Sequence, residues 1–399
     1  MRETIKMKAS LKGQEDTSMN AETIKQTVGK RKEQIFATFA HLHANPEVSW
    51  KEVETTAYLA ERARALGLQV TTFDDCTGLV ATWGEGKPVI GLRTDIDALW
   101  QEVDGTWRAN HSCGHDAHMT LVLEAIATLK EAGFQPAGTL KILFQPAEEK
   151  GDGALKLIEK GMVDDIDYLF GVHLRPIQEM KAGNAGPAIY NGAALFLEGE
   201  ITGVAAHGAR PHLGVNVIEV AAAIVNGLGN IHTNPMVPAT AKMTMLKAGG
   251  ENYNIIPDRA AFAIDLRAQT NQVMDELLEK IKRMVAGVEA VFDANITLRP
   301  GSRMVAAEVN EEAKALMEQA ILDILGEEGL RPAPVSPGAE DFHFYTVERP
   351  QIKATMLALG CDLGPGLHHP QMSFTRESLL DGVSILSQVV VRAFEKAAQ

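Results

Sequence analysis

The stretch Leu140-Lys141-Ile142-Leu143-Phe144-Gln145-Pro146-Ala147-Glu148-Glu149 joins an apolar strand to two adjacent carboxylates. Pro146 cannot continue the ladder of a central strand, so the strand ends before it. Two carboxylates at the end of a buried strand repel each other unless positive charge lies nearby. A metal ion would remove this conflict, because one carboxylate could bind the ion while the other accepts a proton from water. A solvated Glu-Glu-Lys turn is the alternative interpretation.

Strands of this kind alternate with helices over the first half of the chain. A helical region from Ala21 to about Ala65, broken at Asn45-Pro46, precedes predicted strands at 70–73, 79–83 and 89–93. Predicted helices at 120–132 and 154–160 then alternate with strands at 139–144 and 168–172. This order predicts an α/β fold with a mostly parallel sheet and helices on both faces.

The pattern changes at Ala193. Predicted strands at 194–201, 239–248, 260–268 and 294–298 and helices at 215–228 and 271–288 follow the order β-α-β-β-α-β. That order predicts an inserted α+β ferredoxin-like lid domain, and helices at 311–325 and 376–398 return to the first domain. We therefore expect a tail over 1–20, a metal-binding catalytic domain over 21–192 and 302–399, and a lid and dimerisation domain over 193–301.

The segment His111-Ser112-Cys113-Gly114-His115-Asp116-Ala117-His118 concentrates metal-binding side chains in a chain with 3 cysteines and 12 histidines. Thiolate and imidazole are preferred ligands of borderline-soft divalent metals. Cys113 and His115 are close enough in sequence to converge on one ion. The alternatives are a buried structural thiol, a helix-capping or supporting role for His118, and a Cys113 nucleophile with His115 as base. On this segment alone, the metal and structural interpretations are balanced.

Two further segments bring histidines to predicted strand ends. The strand Tyr168–Pro176 carries His173 near its end, and a strand at 356–360 leads into a Gly/Pro-rich loop with His368 and His369. Each histidine alone could be structural. In open α/β sheets, however, sites form at the carboxyl ends of strands, so segments that all carry Cys, His or Glu favour a metal site.

Composition excludes several classes of partner. The length of 399 residues allows two domains of ordinary size. A net charge of −14 and a pI of about 5.4 argue against binding to nucleic acid or an anionic membrane. We find no apolar run of transmembrane length and no signal-peptide core in residues 1–20. The sparse cysteines fit a reducing compartment, so we expect a cytoplasmic protein.

An ordered set of motifs resembles the M20 metallopeptidase clan, and within it the amidohydrolase branch of N-acyl-amino-acid, hippurate and indole-acetyl-amino-acid hydrolases. The AmhX-like amidohydrolases are the subgroup that the chain resembles most narrowly. The motifs are Arg93-Thr94-Asp95-Ile96-Asp97-Ala98-Leu99, Cys113-Gly114-His115-Asp116-Ala117-His118, Phe144-Gln145-Pro146-Ala147-Glu148-Glu149, Gly171-Val172-His173, Gly203–His212, Asn254–Asp258, Glu340-Asp341-Phe342 and Leu367-His368-His369-Pro370.

The resemblance implies roles for nine residues. The ligands of a two-metal centre would be Cys113, His115, Glu149, His173 and His368, with Cys113 as the bridging ligand. Glu148 would be the general base, and the lid residue His207 would reach a partner subunit's site and stabilise the oxyanion. Asn254 and Arg267 would contact the substrate carboxylate. His368 occupies the family position, although His369 could also reach.

The resemblance further implies cofactors, substrate and assembly. It implies two divalent ions per subunit (zinc, manganese or cobalt), an N-acyl amino acid substrate and a homodimer formed through the lid. The family's proline after Asp-Ala-Leu is replaced by Trp100, and Trp107 follows in the same segment. If this loop lines the pocket, we expect an aromatic or bulky substrate group.

Two other functions stay open at this stage. A dipeptidase or aminopeptidase would need an additional carboxylate for the substrate's free ammonium, and Glu340 is the candidate that the sequence offers. A non-catalytic, metal-dependent binder would not need a general base, yet Glu148 is present.

Overall fold

The structure is a computed structural model that describes residues 19–399. The predicted tail at 1–20 therefore lies outside the described residues, except for Met19 and Asn20. Asn20 belongs to the first helix as its N-cap, because its side chain accepts a hydrogen bond of 2.9 Å from the Thr23 N–H.

The helices and strands alternate along the chain. The helices are α1 (Ala21–Lys30), α2 (Lys32–Ala44), α3 (Val53–Ala65), α4 (His115–Glu131), α5 (Gly153–Glu159), α6 (Val217–Gly229), α7 (Asn271–Phe292), α8 (Glu311–Leu325), α9 (Phe344–Glu348) and α10 (Ser378–Ala397). The strands are β1 (Gln69–Thr72), β2 (Leu79–Gly84), β3 (Val89–Asp95), β4 (Leu99–Val103), β5 (Thr106–Asn110), β6 (Thr139–Gln145), β7 (Tyr168–Pro176), β8 (Ala185–Gly186), β9 (Tyr190–Asn191), β10 (Ala193–Thr202), β11 (Ala206–His207), β12 (Ala239–Ala248), β13 (Ile255–Ile256), β14 (Arg259–Ala268), β15 (Asn295–Met304), β16 (Val335–Ser336) and β17 (Lys353–Leu363).

A seven-stranded mixed sheet, in the order β1-β2-β6-β3-β7-β17-β8, forms the larger unit. Its four central strands, β6, β3, β7 and β17, are parallel, whereas the pairings at both edges are antiparallel. The predicted α/β class is confirmed, and the parallel part is the centre of the sheet. The carboxyl ends of the four parallel strands lie at one edge, where sites form in such folds.

Helices cover both faces of this sheet, as the alternation of strand side chains requires. Leu140, Ile142 and Phe144 of β6 pack into the core formed with α1–α4, α8 and α10. Leu143, the residue between them that points to the opposite face, packs with α5 and α9. Both faces of β6 are thus buried, which explains why its sequence is apolar without a clean alternation.

The four-stranded unit (β10 to β15, Ala193–Met304) has a core of its own. Its strand order, β12-β14-β10-β15, with all pairings antiparallel and with α6 and α7 on one face, is the ferredoxin-like arrangement predicted from the β-α-β-β-α-β order. A small ribbon of β11 and β13 projects from it. β15 runs to Met304, beyond the predicted boundary at 301, and the role of this unit as a lid domain remains a prediction.

The segment expected to be a loop around Trp100 and Trp107 is instead a hairpin of β4 and β5. Asp104 and Gly105 form its turn with φ values of 52° and 79°, so both residues adopt the left-handed conformation that two-residue hairpin turns require. Trp100 and Trp107 share one face of the hairpin and are 60% and 59% exposed. Within residues 19–399, we find no helix whose length and apolarity would suffice for a membrane span.

Candidate metal centre

Four backbone segments meet at the carboxyl edge of the parallel strands. Glu148 and Glu149 follow β6 after a sharp turn, in which Ala147 has a φ of 53°. β7 carries His173 near its end, and the loop after β17 carries His368. Cys113 and His115 flank Gly114, whose φ of 88° turns the chain into the first residue of α4. The sequence motifs therefore converge because each ends or begins an element at this edge.

The predicted ligands form two groups that share one sulfur atom. Cys113, His115 and His173 make one group, and Cys113, Glu149 and His368 make the other, each with ligand atoms within 4.8 Å of one another. Cys113 Sγ lies 3.7 Å from His173 Nε2 and 3.2 Å from His368 Nε2. A sulfur common to both groups is the arrangement expected of a ligand that bridges two ions.

The ligand imidazoles are oriented by hydrogen bonds at their other nitrogen. His115 Nδ1 lies 2.9 Å from the Asp97 carbonyl oxygen, and His173 Nδ1 lies 2.7 Å from the Leu174 carbonyl oxygen. Each Nδ1–H donates to its carbonyl, which leaves Nε2 directed at the cluster as the atom that could bind an ion.

His118 differs from these ligands because both of its ring nitrogens are occupied. Its Nδ1 donates to Asp95 Oδ1 at 2.8 Å, and its Nε2 accepts the Leu174 N–H at 3.0 Å. His118 therefore supports the strand that carries His173.

The donor atoms fit a metal centre on independent grounds. His115 Nε2 and Glu149 Oε1 are buried without any hydrogen-bond partner in the described chain, a costly condition unless a further group binds them. Sulfur, imidazole and carboxylate together form a donor set for zinc and its neighbours among the divalent metals. Each of the two groups that share Cys113 therefore contains one buried donor atom that has no partner within the described residues.

The electrostatics of the cluster also call for positive charge. Burial, together with the nearby Glu149 carboxylate, raises the pKa of the Cys113 thiol. Its contacts with Cys113 and Glu149 raise the pKa of His368 to about 10. Burial opposes a charged His115, but Asp95 and Cys113 outweigh it and raise the pKa of that imidazole well above its usual value. The surrounding groups therefore favour a cation, which bound metal would provide.

Glu148 faces the cluster without belonging to either of the two ligand groups that share Cys113. Its Oε2 lies 3.9 Å from His115 Nε2, and its carboxyl group is buried close to Glu340 and Asp341. Burial, Glu340 and Glu149 raise the pKa of Glu148 well above its usual value. A carboxyl group with a raised pKa beside a metal cluster is suited to exchange protons.

The turn that carries both glutamates is held by Asp97. Its Oδ1 accepts the Glu148 N–H at 3.2 Å and lies 3.2 Å from His115 Nδ1, while its Oδ2 accepts the Glu149 N–H at 3.1 Å. One side chain therefore both contacts a predicted ligand imidazole and holds the turn that carries the glutamates.

Of the remaining predicted site residues, only Arg267 lies at the cavity that contains the cluster, whereas His207, Asn254 and His369 lie outside the cluster. Arg267 lines a cavity of about 590 Å³ together with Cys113, Glu148, His173 and His368. His207 and Asn254 lie elsewhere: both are exposed, His207 in β11 and Asn254 just before β13, where the Gly208 N–H donates to the Asn254 carbonyl. His369 is exposed and accepts the Gln371 N–H, so the His368 side chain is the one in the cluster.

The sequence did not reveal the buried polar network behind the cluster. Arg93 is fully buried on β3 and donates to Asp95 at 2.9 Å and to Asp341 at 2.7 Å, with Glu340 at 3.1 Å. A charged residue inside the apolar strand Val89-Ile90-Gly91-Leu92-Arg93 was the available signal, since a buried charge requires partners. One of these partners, Asp341, is 248 residues away from Arg93 in the sequence, so local sequence could not identify it.

Comparison with known proteins agrees with this geometry. Residues 91–392 match the family model described as peptidase family M20/M25/M40. The chain is 30% identical to an N-acetyl-L-cysteine deacetylase of Bacillus subtilis, covering 96% of this chain and 92% of that protein. It is also 30% identical to the IAA-amino acid hydrolase ILR1-like 2 of Arabidopsis thaliana, covering 76% and 72%.

A solved structure extends the likeness to three dimensions. The Bacillus subtilis YXEP protein, described as a dinuclear metal-binding peptidase from the M20 family, matches with a TM-score of 0.78 and 25% identity over 91% of this chain and 98% of that chain. The family model matches most of the chain, and the two relatives align over most of their own lengths. The chain therefore belongs to peptidase family M20/M25/M40, in its amidohydrolase branch.

Proposed function

We propose that the protein is a metal-dependent amidohydrolase that cleaves the amide bond of N-acyl amino acids, with Glu148 as the general base. The observation that carries the proposal is the pair of ligand groups sharing Cys113, with the Glu148 carboxyl group 3.9 Å from one of their imidazoles. Cys113, His115, Glu149, His173 and His368 would hold two divalent ions.

Bound ions would supply Lewis acidity, which polarises a carbonyl and lowers the pKa of water from 15.7 to about 7. Glu148 then takes a proton from the attacking water as the new C–O bond forms. It returns that proton to the amide nitrogen as the C–N bond breaks, so that the amine leaves neutral. Burial raises the pKa of Glu148, whereas bound cations would lower it, so both its ionised and its protonated form are available for this exchange.

The substrate class follows from the cavity and from the relatives. Arg267 lines the cavity, and Asp265 accepts from its Nε at 2.7 Å and from its Nη2 at 3.2 Å, which fixes the orientation of the guanidinium group and leaves Nη1 without a protein acceptor in the described residues. An oriented guanidinium group suits a substrate carboxylate. The names of the deacetylase and hydrolase relatives support an N-acyl amino acid as the substrate of this chain as well.

The metal and the compartment belong to the proposal. Cys113 favours zinc on the ground of ligand softness, while manganese and cobalt suit the imidazoles and carboxylate. Metal binding requires the Cys113 thiolate rather than a disulfide, and all three cysteines are free. We therefore propose a cytoplasmic, reducing location for the enzyme.

A homodimer through the four-stranded unit is the proposed assembly. β12 is an edge strand, and Met245 and Leu246 on it are exposed beside Val225 of α6. An exposed apolar edge of this kind favours pairing with a second copy. His207 and Asn254, which lie outside the cavity of their own chain, would then serve the partner's site.

A peptidase is the second candidate, because Glu340 also lines the cavity. Its carboxylate is already engaged, however: Oε1 accepts the Phe342 N–H and lies 3.1 Å from the guanidinium group of Arg93. A carboxylate neutralised in this way attracts a substrate ammonium weakly, which favours the amidohydrolase.

The test is metal-dependent hydrolysis by the purified protein after chelation and after addition of zinc, manganese or cobalt. N-acetyl, N-benzoyl and indole-acetyl amino acids are assayed beside free dipeptides. Release of amino acid from the acylated compounds alone is expected, whereas cleavage of dipeptides alone would move the assignment to a peptidase. Inactivity on every substrate with metal bound would support a non-catalytic binder.

The role of Glu148 is tested by Glu148→Gln, which keeps the shape of the side chain. We expect unchanged metal content and a loss of kcat of about 10²- to 10⁴-fold, the usual contribution of general acid–base catalysis. The matched control is Glu159→Gln, an exposed carboxylate on α5, which should retain full activity. Full activity in Glu148→Gln would refute the mechanism.

A further inference from the structure

Arg175 is a second buried guanidinium group in the catalytic cavity. It follows His173 by two residues on β7, so both side chains point to the same side of the strand, with Cα atoms about 7 Å apart. The residue is only 3% exposed, yet it lines the cavity that contains the ligand residues. The mechanism described above gives it no role.

Two hydrogen bonds fix the orientation of the Arg175 side chain. Glu179 Oε2 accepts from Arg175 Nε at 2.9 Å and from Nη2 at 2.6 Å. Nη2 also lies 3.3 Å from the hydroxyl of Ser336, another residue of the cavity wall. In the described part of the chain, Arg175 Nη1 donates to no protein acceptor.

Ser336 adds a further donor to the same wall. Its oxygen accepts from Arg175 and from the Gly338 N–H at 3.2 Å, and among residues 19–399 its hydroxyl hydrogen has no acceptor. The neighbouring Asn191 is already satisfied, since its amide donates to the Gly338 carbonyl and its oxygen lies 3.0 Å from His343 Nε2. The groups of this wall that remain available are therefore donors.

The charge of Arg175 is offset only in part. Both bonds to Glu179 use a single carboxylate oxygen, and the Glu179 side chain is 29% exposed to solvent, which screens it. Arg267 is a separate cation on the four-stranded unit, so one cavity contains two oriented guanidinium groups on different units. A substrate with a single carboxylate would bind only one of these two guanidinium groups.

We propose that Arg175 and Ser336 form a subsite for a second carboxylate of the substrate. The substrate class is then an N-acyl amino acid with two carboxylates, one bound by Arg267 and the other by Arg175 and Ser336. The inference rests on the proposed amidohydrolase function. The second carboxylate comes either from a dicarboxylic acyl group or from an acidic amino acid side chain, and both present the same chemistry to the subsite.

Matched substrate pairs distinguish the two sources. N-succinyl-leucine is compared with N-butyryl-leucine, and N-acetyl-glutamate with N-acetyl-glutamine, in the metal-loaded enzyme. We expect kcat/KM to favour the charged member of one pair by about 10-fold or more, since a buried polar site rejects an analogue that cannot pair with it. The pair that shows the preference identifies the source of the carboxylate.

Three variants test whether Arg175 causes this preference. In Arg175→Met the ratio of kcat/KM for the charged over the neutral substrate should fall towards one, mainly through KM. Arg175→Lys should keep a reduced preference, because lysine retains the positive charge but lacks the paired N–H donors of the guanidinium group. Lys181→Met, an exposed cation outside the cavity, is the matched control and should leave the ratio unchanged. Thermal unfolding of each variant verifies that it is folded.

Binding of the same four compounds is also measured by calorimetry in metal-loaded protein carrying Glu148→Gln, with and without Arg175→Met. This readout does not require turnover, so the subsite is tested even if the hydrolytic function fails. Absence of any preference for the charged members, or an equal preference with and without Arg175→Met, would show that Arg175 has only a structural role. Hydrolysis of neutral substrates without such a preference would overturn the subsite alone.

Discussion

At the scale of single residues, three of the predicted ligands have a second contact that holds them in place. The His115 ring is held by Asp97 and the His173 ring by the Leu174 carbonyl, while the backbone N–H of His368 donates to the Ser112 carbonyl at 2.8 Å. The first two contacts orient side chains and the third holds the backbone before any ion binds, which reduces the entropy lost on binding. Metal affinity should therefore respond to the supporting residues as well as to the ligands.

The adjacent histidines His368 and His369 offer a matched test of the ligand assignment. We expect His368→Asn to lose one of two bound ions, because its Nε2 lies 3.4 Å from Glu149 Oε1 and 3.2 Å from the Cys113 sulfur. His369→Asn should retain both ions, because its side chain is exposed and outside the cluster. Metal content per subunit, measured by atomic emission after dialysis, checks both results. The reverse outcome would assign the ligand to His369.

Asp97 allows the supporting contacts to be tested. Asp97→Ala keeps the backbone carbonyl that accepts from His115 but removes the carboxylate 3.2 Å from His115 Nδ1 and the acceptor for the two backbone N–H groups of the glutamate turn, so metal affinity should fall about 10- to 100-fold. Ser49→Ala removes only the 2.6 Å hydrogen bond to Asp97 Oδ2 and should weaken binding much less. Competition with a metal indicator measures both affinities. Equal affinities in the wild type and Asp97→Ala would contradict the supporting role.

Sequence predicts which side chains cluster better than it predicts their surroundings. Glu149, His173 and His368 lie at or after the ends of parallel strands, so the rule that such ends meet at one edge brings them together, whereas Cys113 and His115 lie at the start of α4. Two partners of Arg93, Glu340 and Asp341, by contrast, come from a loop far along the chain, and no local pattern pairs them with it. Burial creates the requirement for partners, but only the tertiary fold determines which carboxylates meet it.

At the scale of elements, the β4–β5 hairpin shows how a local signal can be overlooked. Asp104-Gly105 is a strong two-residue turn signal, but the strands beside it are short and two tryptophans are exposed. The hairpin is held in place by contacts that sequence does not display: Gln101 Nε2 donates to the His368 carbonyl at 2.8 Å, and Asn110 donates to the Pro370 carbonyl at 3.0 Å. The hairpin thus supports the loop that carries a ligand.

The contact between α2 and α4 predicts a pH dependence of stability. His43 Nδ1 lies 2.6 Å from Asp116 Oδ2, and this hydrogen bond raises the pKa of His43 above 6.5, although the charge of Arg376 opposes it. A raised pKa in the folded state stabilises the protein fully below the unfolded value of about 6.5, and the contribution is lost as the pH rises through the folded value. Because the imidazole is half exposed, the effect should stay below about 1 kcal/mol.

Thermal unfolding of wild type and His43→Asn measures this contribution. The Tm difference should be largest near pH 6 and should shrink as the pH is raised towards 9. Asn45→Ala, which replaces an exposed residue without a titratable side chain at the end of the same helix, is the control and should show a pH-independent difference. A Tm difference between wild type and His43→Asn that grows with pH would mean that His43 is neutral in the folded protein.

At the scale of the whole molecule, the two sheets place different side chains at one cavity. The seven-stranded sheet carries the predicted metal ligands and Glu148, the proposed general base, whereas the four-stranded unit supplies Arg267 and Phe196 to the same cavity. The alternation of elements was sufficient to predict both folds. It could not predict which residues of the four-stranded unit reach the cavity, because that depends on how the two units meet.

The position of His207 and Asn254 leads to the last prediction, which concerns assembly. Both residues are exposed, His207 in β11 and Asn254 just before β13, and do not line the cavity of their own chain. If a second copy pairs through β12 and α6, each ribbon can serve the site of its partner. Glu148→Gln and His207→Ala should then each be inactive alone, yet a mixture of the two should regain activity after subunit exchange.

The expected recovery follows from the symmetry of a dimer. Random exchange of equal amounts gives about half heterodimers, and each heterodimer contains one site with an intact Glu148 and a partner's intact His207, so about a quarter of wild-type activity should return. Sedimentation of the mixture verifies that dimers are present. Because a histidine that acted within its own chain could not be supplied by another, a dimeric mixture that stays inactive would show that His207 does not act across the interface.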